Sequence, residues 1–272
     1  DSRSPPKYGS LRSPLRCVPS LTRSIGRTEA LYNIFRGRNS AKEASGSMLR
    51  SGKPLQRFVR AASQRQQSTL LKAEQPLKTV LILGSTREKR VGGRVADHLL
   101  STMQDRGGHD VTVLDPRTTG DGFFMRLMEK AHFHYKEGEE LPAALVETHA
   151  LLQEADAYIA VTPEMNHTIA PGLVNLMNYF GSSTYSQKPS GIATYSAGMW
   201  GGARCGVALR SYLGELGCMP VSATFQLPGA WKPSTFDGSG RLDEGSAAAK
   251  SAHRMLEQLE WTADAMRAKR LQ

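Results

Sequence analysis

From Thr79 to the end of the chain, runs of apolar residues alternate with segments in which apolar residues recur at helical spacing. The first apolar run, at 80–83, has no polar interruption, as expected of a strand buried on both faces. A helical pattern follows at 94–106. The same alternation predicts strands at 111–114, 157–161, 191–195 and 219–225. It also predicts four helices: one at 142–155, one that begins at 171, one that ends at 216 and one at 245–270.

Strands that alternate with helices at this spacing predict an α/β domain over 79–272, with five parallel strands and helices on both faces. Right-handed crossovers leave two common five-strand layouts. In the order 2-1-3-4-5, the ligand crevice lies between strands one and three, at the carboxyl ends of the strands. The loops 84–92 and 162–168 then flank one cavity, and the loop 196–202 lies beside them.

The positive charge of the chain lies in its first part. Residues 1–78 hold 16 Lys and Arg against 4 Asp and Glu, whereas the whole chain has a net charge of +10. This part is rich in Ser, Arg, Pro and Gln without sustained apolar periodicity, so we predict that it is disordered. Because residue 1 is Asp, we interpret 1–47 as part of an incomplete or over-extended reading frame with no inferable function.

Two interpretations of this basic tail compete: an arm for nucleic acid or an acidic partner, and an organelle-targeting segment. The segment 48–69 has five basic residues and no acidic one. In a helix, Leu55, Phe58, Val59 and Ala62 would share one face, and this Arg-rich, acid-poor amphipathic pattern is typical of a mitochondrial transit peptide. We therefore predict a mitochondrial location, with a cytoplasmic one as the alternative, and no nucleic-acid partner.

The first strand ends in a candidate phosphate site. Gly84 permits a sharp turn, Ser85 and Thr86 offer hydroxyls, and the Arg87 guanidinium matches the oxygens of a phosphate. The helix that follows begins near Gly92 and points free backbone amides at the same place. The alternative is an ordinary turn between a strand and a helix.

The other two loops are suited to a flat ring. The loop after the third strand is stiffened by Pro163, and the loop after the fourth holds three glycines and Trp200, so backbone can approach a ring and an aromatic face can cover it. A flavin fits such a slot. Each feature also has a purely structural explanation, such as a turn or a helix start.

Three motifs in this order resemble the NADPH-dependent FMN reductase family of flavodoxin-like proteins. They are Gly84-Ser85-Thr86-Arg87, then Pro163-Glu164-Met165-Asn166 with Pro171-Gly172-Leu173 and Asn175, then Tyr195-Ser196-Ala197-Gly198 with Gly201-Gly202. The resemblance covers about 79–225. It implies a flavodoxin-like sheet in the order 2-1-3-4-5 and these cofactor-binding residues: Gly84, Ser85, Thr86, Arg87, Arg90, Val91 and Gly92 at the FMN phosphate, and Pro163, Glu164, Met165, Asn166, Ser196, Ala197, Gly198, Met199, Trp200 and Gly201 at the ring.

The resemblance also implies a reaction. NAD(P)H is the hydride donor, FMN the cofactor, and a quinone, an azo compound or free flavin the small-molecule acceptor. No side chain need act as an acid or base, so no catalytic residue is assigned. Homodimers or homotetramers are implied, with the flavin near a subunit interface.

The chain departs from the family pattern at three places. Met165 stands where members usually have Tyr, the charges after Leu173 are missing, and Arg90 replaces a serine of the phosphate loop, which adds charge. These departures leave room for a second hypothesis, an FMN-binding redox sensor or interaction protein without catalysis. The excursion at 117–141 has no assigned role and is a candidate determinant of the acceptor.

Other functions find little support in the residues. A Rossmann domain that binds NAD directly, with Asp115 on a ribose, lacks the Gly-x-Gly-x-x-Gly motif. The His132-Phe133-His134 pair has no third ligand nearby, so we predict no metal site. Three scattered cysteines, of which Cys205 is interpreted as buried and inert, make no disulfide framework, and no stretch is long enough to span a membrane.

Overall fold

The computed structural model describes residues 75–272. The segment 48–69 and almost all of the predicted basic tail lie outside these residues, so both predictions about them stay predictions. The first strand begins at Leu77 and includes Lys78, which the sequence analysis had assigned to the tail. Its last five residues are all buried, in agreement with an apolar run that packs on both faces of the sheet.

Five parallel strands form the sheet in the order β2-β1-β3-β5-β6, which confirms the predicted topology once a two-residue strand, β4, is set aside. Neighbouring strands are in register near their carboxyl ends, where Leu83 pairs with Val161 and Pro163 with Tyr195. The strands are β1 at Leu77–Leu83, β2 at His109–Leu114, β3 at Ala157–Met165, β4 at Thr168–Ile169, β5 at Lys188–Tyr195 and β6 at Cys218–Leu227.

Helices cover both faces of the sheet, as predicted. One apolar cluster joins the sheet to α1 and α6, and a second joins the opposite face to α2, α3 and α5. Connections to both faces leave a crevice at the carboxyl ends of the strands, between β1 and β3. The helices are α1 at Gly92–Arg106, α2 at Ala143–Glu154, α3 at Pro171–Asn178, α4 at Ser182–Tyr185, α5 at Ala203–Glu215 and α6 at Ala247–Arg270.

The loop predicted at 162–168 is a β-hairpin in the structure. Strand β3 continues to Met165, and β4 returns antiparallel to it, with Glu164 opposite Ile169. The two turn residues, Asn166 and His167, have φ values of 49° and 64°. Two consecutive left-handed residues are the signature of a tight hairpin turn that matches the twist of its strands, and Asn tolerates this conformation well.

The excursion at 117–141 has two short 3-10 turns, at Thr119–Met125 and His132–His134. It is fastened to α3 by Asn175, whose side-chain amide donates to the carbonyls of Phe124 (3.0 Å) and Arg126 (2.7 Å). The carbonyl oxygen of the same side chain accepts from the Met128 amide at 2.9 Å. One side chain of α3 therefore holds the excursion against the domain.

Candidate functional site

The loops after β1, β3 and β5 converge at the carboxyl edge of the sheet, as predicted. Gly84 lies so close to the third strand that a Cβ atom there would be 2.8 Å from Thr162 Oγ1 and 2.9 Å from Leu173 Cβ. A Cβ on Gly172 would lie 2.5 Å from Thr86 Cγ2. Both glycines are required by the close approach of the first loop to β3 and α3.

The first loop ends at an uncapped helix. Residue Val91 precedes α1 without a side-chain hydrogen bond to the helix, and the first turn has no acidic residue. The first amides of any helix lack an intrahelical acceptor, and the helix dipole makes this end positive. An anion placed here finds several donors that no side chain of the helix satisfies.

Arg87 and Arg90 both lie in the first loop but differ in their hydrogen-bond and ion-pair partners. Arg87 is exposed and, within residues 75–272, makes no ion pair and no side-chain hydrogen bond. Arg90 donates hydrogen bonds to both carboxylate oxygens of Asp115 and to the Ser85 carbonyl, the last at 2.8 Å. The Arg90 and Asp115 side chains are only 15% and 12% exposed, so this pair is sheltered from water.

This ion pair bears on two interpretations of the loop. The positive charge that Arg90 brings in place of a serine is neutralised by the Asp115 carboxylate and is not free for a ligand. The same carboxylate is occupied by Arg90 and is not free to hold a ribose, as direct binding of NAD required. Arg90 instead stabilises the first loop. Arg117, which lies outside this loop, also stabilises it by donating to the Thr86 carbonyl at 2.9 Å.

Glu164 links the hairpin to the start of α5. Its carboxylate accepts from the backbone amides of Arg204 (3.1 Å) and Cys205 (3.3 Å) and from the Arg204 guanidinium (2.8 Å). Burial acts to raise the pKa of Glu164, but these hydrogen bonds and the Arg204 charge outweigh it and hold the pKa below its usual range. The side chain therefore stays charged and engaged, and only its backbone is free to border a ligand.

The loop after β5 is anchored by the turn that follows β6. Ser196 donates its backbone amide to the Leu227 carbonyl, and its own carbonyl accepts from Ala230. At the far end of the loop, Gly202 has a φ of 84°, and a Cβ there would lie 2.7 Å from Thr194. The backbone is thus fixed at both ends.

The middle of this loop faces outward. Met199 and Trp200 are 78% and 58% exposed, and the Trp200 ring lies 5.5 Å from the Arg204 guanidinium carbon. An exposed, apolar tip on a fixed backbone is suited to contact with a ligand or another chain. The structure thus places all the predicted site residues in three adjoining loops; their contacts with a cofactor stay predictions.

Tyr195 is a residue at this site to which the sequence analysis gave no binding role. It ends β5, is 1% exposed, and its hydroxyl makes no hydrogen bond with any described residue. Burial raises its pKa to about 12, although Ser85 and the charges of Arg90 and Arg87 oppose the shift. The Ser85 side chain lies close enough to the Tyr195 hydroxyl to influence its pKa, but the two hydroxyls do not make a hydrogen bond.

The remaining candidate groups have structural roles. The His132 ring stacks on His149 at 3.9 Å between centroids, and residues 75–272 contain no group of three metal-ligating side chains. Cys205 is buried and its pKa is raised to about 12, mainly by burial and also by Glu164, so the expectation of an inert thiol is supported. No helix in residues 75–272 is both long and apolar enough to cross a membrane.

The chain belongs to the NADPH-dependent FMN reductase family, because the model of that family matches residues 77–232, more than half of the 272-residue chain. The resemblance inferred from the three motifs is therefore confirmed. The match begins at the first strand and includes all three loops of the site.

Two bacterial relatives and one solved structure are similar to the chain. The quinone reductase of Escherichia coli strain K12 is 33% identical over 90 residues, which are 32% of this chain and 48% of the relative. That of Pseudomonas putida is 31% identical over 114 residues, 40% of this chain and 60% of the relative. The chain thus spans about half the length of the curated relatives it matches.

The solved structure is that of FerB from Paracoccus denitrificans, a flavoenzyme NAD(P)H:(acceptor) oxidoreductase. It superposes with a TM-score of 0.54 at 17% identity, over 68% of this chain and 97% of that chain. At this identity the likeness shows the fold alone, and it supports the flavodoxin-like architecture.

The residues at the three loops fit FMN. A phosphate finds an uncapped helix start, the Arg87 guanidinium and the buried Tyr195 hydroxyl at or beside the first loop, and neither side chain has a partner among residues 75–272. Glycines at 84 and 172 leave the backbone open where a side chain would collide with its neighbours. The hairpin residues 163–166 and the loop 196–201, which are predicted to border the ring, lie beside the first loop.

Proposed function

We propose that this protein binds FMN and catalyses the NAD(P)H-dependent reduction of a small acceptor, such as a quinone, an azo compound or free flavin. The observation that carries the proposal is the convergence of the three loops on the uncapped start of α1, beside which Arg87 has no partner among the described residues. Both curated relatives described above are quinone reductases, so quinones are the first acceptors to test.

FMN, when bound, would supply the chemistry for hydride transfer between NAD(P)H and the acceptor. The protein residues bind the cofactor and orient it. Arg87 and the first amides of α1 hold the phosphate, and the fixed backbones of 163–166 and 196–201 border the ring. Positioning of the two reactants accounts for the rate enhancement.

Three buried or engaged titratable groups of these loops are not suited to act as an acid or base. Glu164 is held by α5 with a lowered pKa, whereas burial raises the pKa of Cys205 to about 12. Burial likewise raises that of Tyr195 to about 12. None of these three groups is set to exchange a proton near neutral pH.

The direct test is an absorbance spectrum of the purified protein supplied with FMN, followed by anaerobic addition of NADPH. We expect oxidised-flavin bands that bleach with NADPH and return when a quinone is added. A yellow protein that consumes almost no NADPH supports the sensor alternative instead, and a protein that retains no flavin refutes both.

Replacing Arg87 by Ala tests the phosphate site. A hydrogen bond to a charged group contributes roughly 1.5 to 3 kcal/mol, so FMN affinity should fall more than about tenfold while riboflavin affinity is unchanged. Lys89→Ala removes the same charge from an exposed residue of the same loop. This control should weaken FMN only slightly, and an equal effect of both variants contradicts a specific role for Arg87.

We also propose that residues 48–69 direct the chain to mitochondria, on the basis of their Arg-rich, acid-free composition. Fusion of this segment to a fluorescent protein tests the proposal in cells. Import into mitochondria is expected, and a diffuse cytoplasmic signal favours the alternative location.

We propose further that the protein forms a homodimer or a homotetramer. Met199 and Trp200 are exposed in the loop after β5, and the exposed Trp231 follows a turn whose backbone is hydrogen-bonded to that loop. These side chains offer apolar surface for a second copy. Light scattering coupled to size-exclusion chromatography measures the assembly, and a monomeric mass at micromolar concentration contradicts the proposal.

A further inference from the structure

Tyr195 presents a buried donor that the fold leaves unsatisfied. The residue is 1% exposed, and its hydroxyl has no hydrogen-bond partner among residues 75–272. Buried polar groups nearly always have a partner, so an unsatisfied one calls for an explanation. Because burial raises the pKa of this phenol to about 12, the hydroxyl keeps its proton at neutral pH and is available as a donor.

The hydroxyl points at the start of α1. A Cβ atom on Gly92, the first residue of that helix, would lie 2.5 Å from Tyr195 Oη. The backbone of Gly92 is in the ordinary helical region, so no special φ requires a glycine there. The missing side chain at position 92 is instead explained by the space that the Tyr195 hydroxyl occupies.

Other donors surround this position. The first amides of α1 are uncapped, and the same loop holds buried Ser85 and Arg87, which pairs with no residue of the described part of the chain. Arg90 is already committed to Asp115 and to the Ser85 carbonyl. A ligand with several acceptor oxygens satisfies such an arrangement, and a phosphate monoester has three.

We propose that the Tyr195 hydroxyl donates a hydrogen bond to the terminal phosphate of FMN, with Gly92 providing the space, and that this contact favours FMN over riboflavin. The inference rests on the proposed function, because it names a specificity determinant of the same site. It adds a residue from the end of β5 to a phosphate site otherwise built from the first loop and α1.

The test compares Tyr195→Phe with the unaltered protein in titrations of FMN and riboflavin, followed by flavin fluorescence. We expect FMN affinity to fall about tenfold or more and riboflavin affinity to change less than twofold, since only FMN carries the phosphate. The ³¹P resonance of bound FMN should also shift in the variant. Neither result depends on turnover.

Tyr158→Phe is the matched control. Tyr158 is equally buried, but its hydroxyl donates to the Leu152 carbonyl at 2.7 Å near the start of β3, at the opposite end of the sheet. The control should lower the thermal midpoint of the protein without flavin and leave the preference for FMN intact. Tyr195→Phe should not lower that midpoint, because it removes a hydroxyl that has no partner.

Gly92→Ala provides a second test of the contact between the Tyr195 hydroxyl and the phosphate. The added methyl group displaces the Tyr195 hydroxyl, so FMN affinity should fall in the unaltered background and fall less in the Tyr195→Phe background. Equal FMN affinity of Tyr195→Phe and the unaltered protein overturns the inference but leaves the proposed function standing, as does an equal loss of FMN and riboflavin. Absence of flavin binding by the unaltered protein refutes the proposed function itself.

Discussion

Replacing Glu164 by Gln should destabilise the domain, because this carboxylate joins the β3–β4 hairpin to α5. It accepts from two consecutive amides at the helix start and from the Arg204 guanidinium. The Glu164 side chain is 8% exposed, so water does not readily replace these bonds. Gln keeps one acceptor oxygen but loses the charge and gains amide hydrogens that face other donors.

The magnitude follows from the two interactions of the charge. A negative group at a helix N-terminus contributes roughly 0.3–1 kcal/mol, and up to about 2 kcal/mol when partly buried. The pair with Arg204 adds less than about 1 kcal/mol, because the Arg204 side chain is 41% exposed. We therefore expect the free energy of unfolding to fall by about 1–2 kcal/mol at pH 7.

Urea denaturation of the variant measures this loss. Glu215→Gln is the matched control, because Glu215 ends the same helix, where the dipole disfavours a negative charge. That control should leave stability unchanged or raise it slightly. Equal stability losses in the two variants at pH 7 refute the assignment of a capping role to Glu164.

Acid provides a second test of the same reasoning. The folded-state pKa of Glu164 lies below its ordinary value of 4.5, so its contribution is complete above the unfolded pKa and is lost as the pH falls through the folded pKa. The stability difference between the unaltered protein and Glu164→Gln should thus shrink below about pH 4.5. A difference that stays constant into acid contradicts the linkage.

Two further substitutions test other parts of the fold. Asn175→Ala removes three hydrogen bonds to the excursion at 117–141, so amide exchange there should accelerate and unfolding free energy should fall by about 1–3 kcal/mol; unchanged exchange contradicts the clamp. Burial lowers the pKa of Lys188 to about 8 from 10.5. The unfolded chain therefore binds more protons between these values, and the unaltered protein should gain up to about 3 kcal/mol over Lys188→Met as the pH rises through that window; parallel pH profiles in urea denaturation contradict this.

The sheet and the position of the site were predictable because they depend on local patterns. A strand buried on both faces is an unbroken apolar run, and glycine or proline marks the loop after β1, β3 and β5. Once the strands are known to be parallel, their carboxyl ends must share one edge. The contacts of Gly84 with Thr162 and Leu173 confirm that consequence.

The hairpin and the excursion were not predictable in the same way. Asn166-His167 is not one of the usual two-residue hairpin pairs, because the second residue of such turns is usually Gly. The excursion is held by Asn175, about fifty residues away in sequence. Such long-range contacts leave no periodic signal in the segment that they fasten.

Arg90 in the first loop and Tyr195 beside it are best understood together. Arg90 replaces a loop serine, yet its charge is cancelled by Asp115, so it cannot compensate a phosphate as a free guanidinium does. In the inference above, the Tyr195 hydroxyl supplies the donor lost with that serine, and a side chain at position 92 would collide with it. Arg90 is held by Asp115, which follows β2, and Tyr195 reaches the loop from the end of β5, so neither role is visible in the motif alone. If the Tyr195 hydroxyl does replace the serine, Arg90→Ser combined with Asp115→Asn, which leaves no unpaired carboxylate at the site, should recover part of the FMN affinity lost in the Tyr195→Phe variant. The absence of any recovery contradicts this exchange of donors.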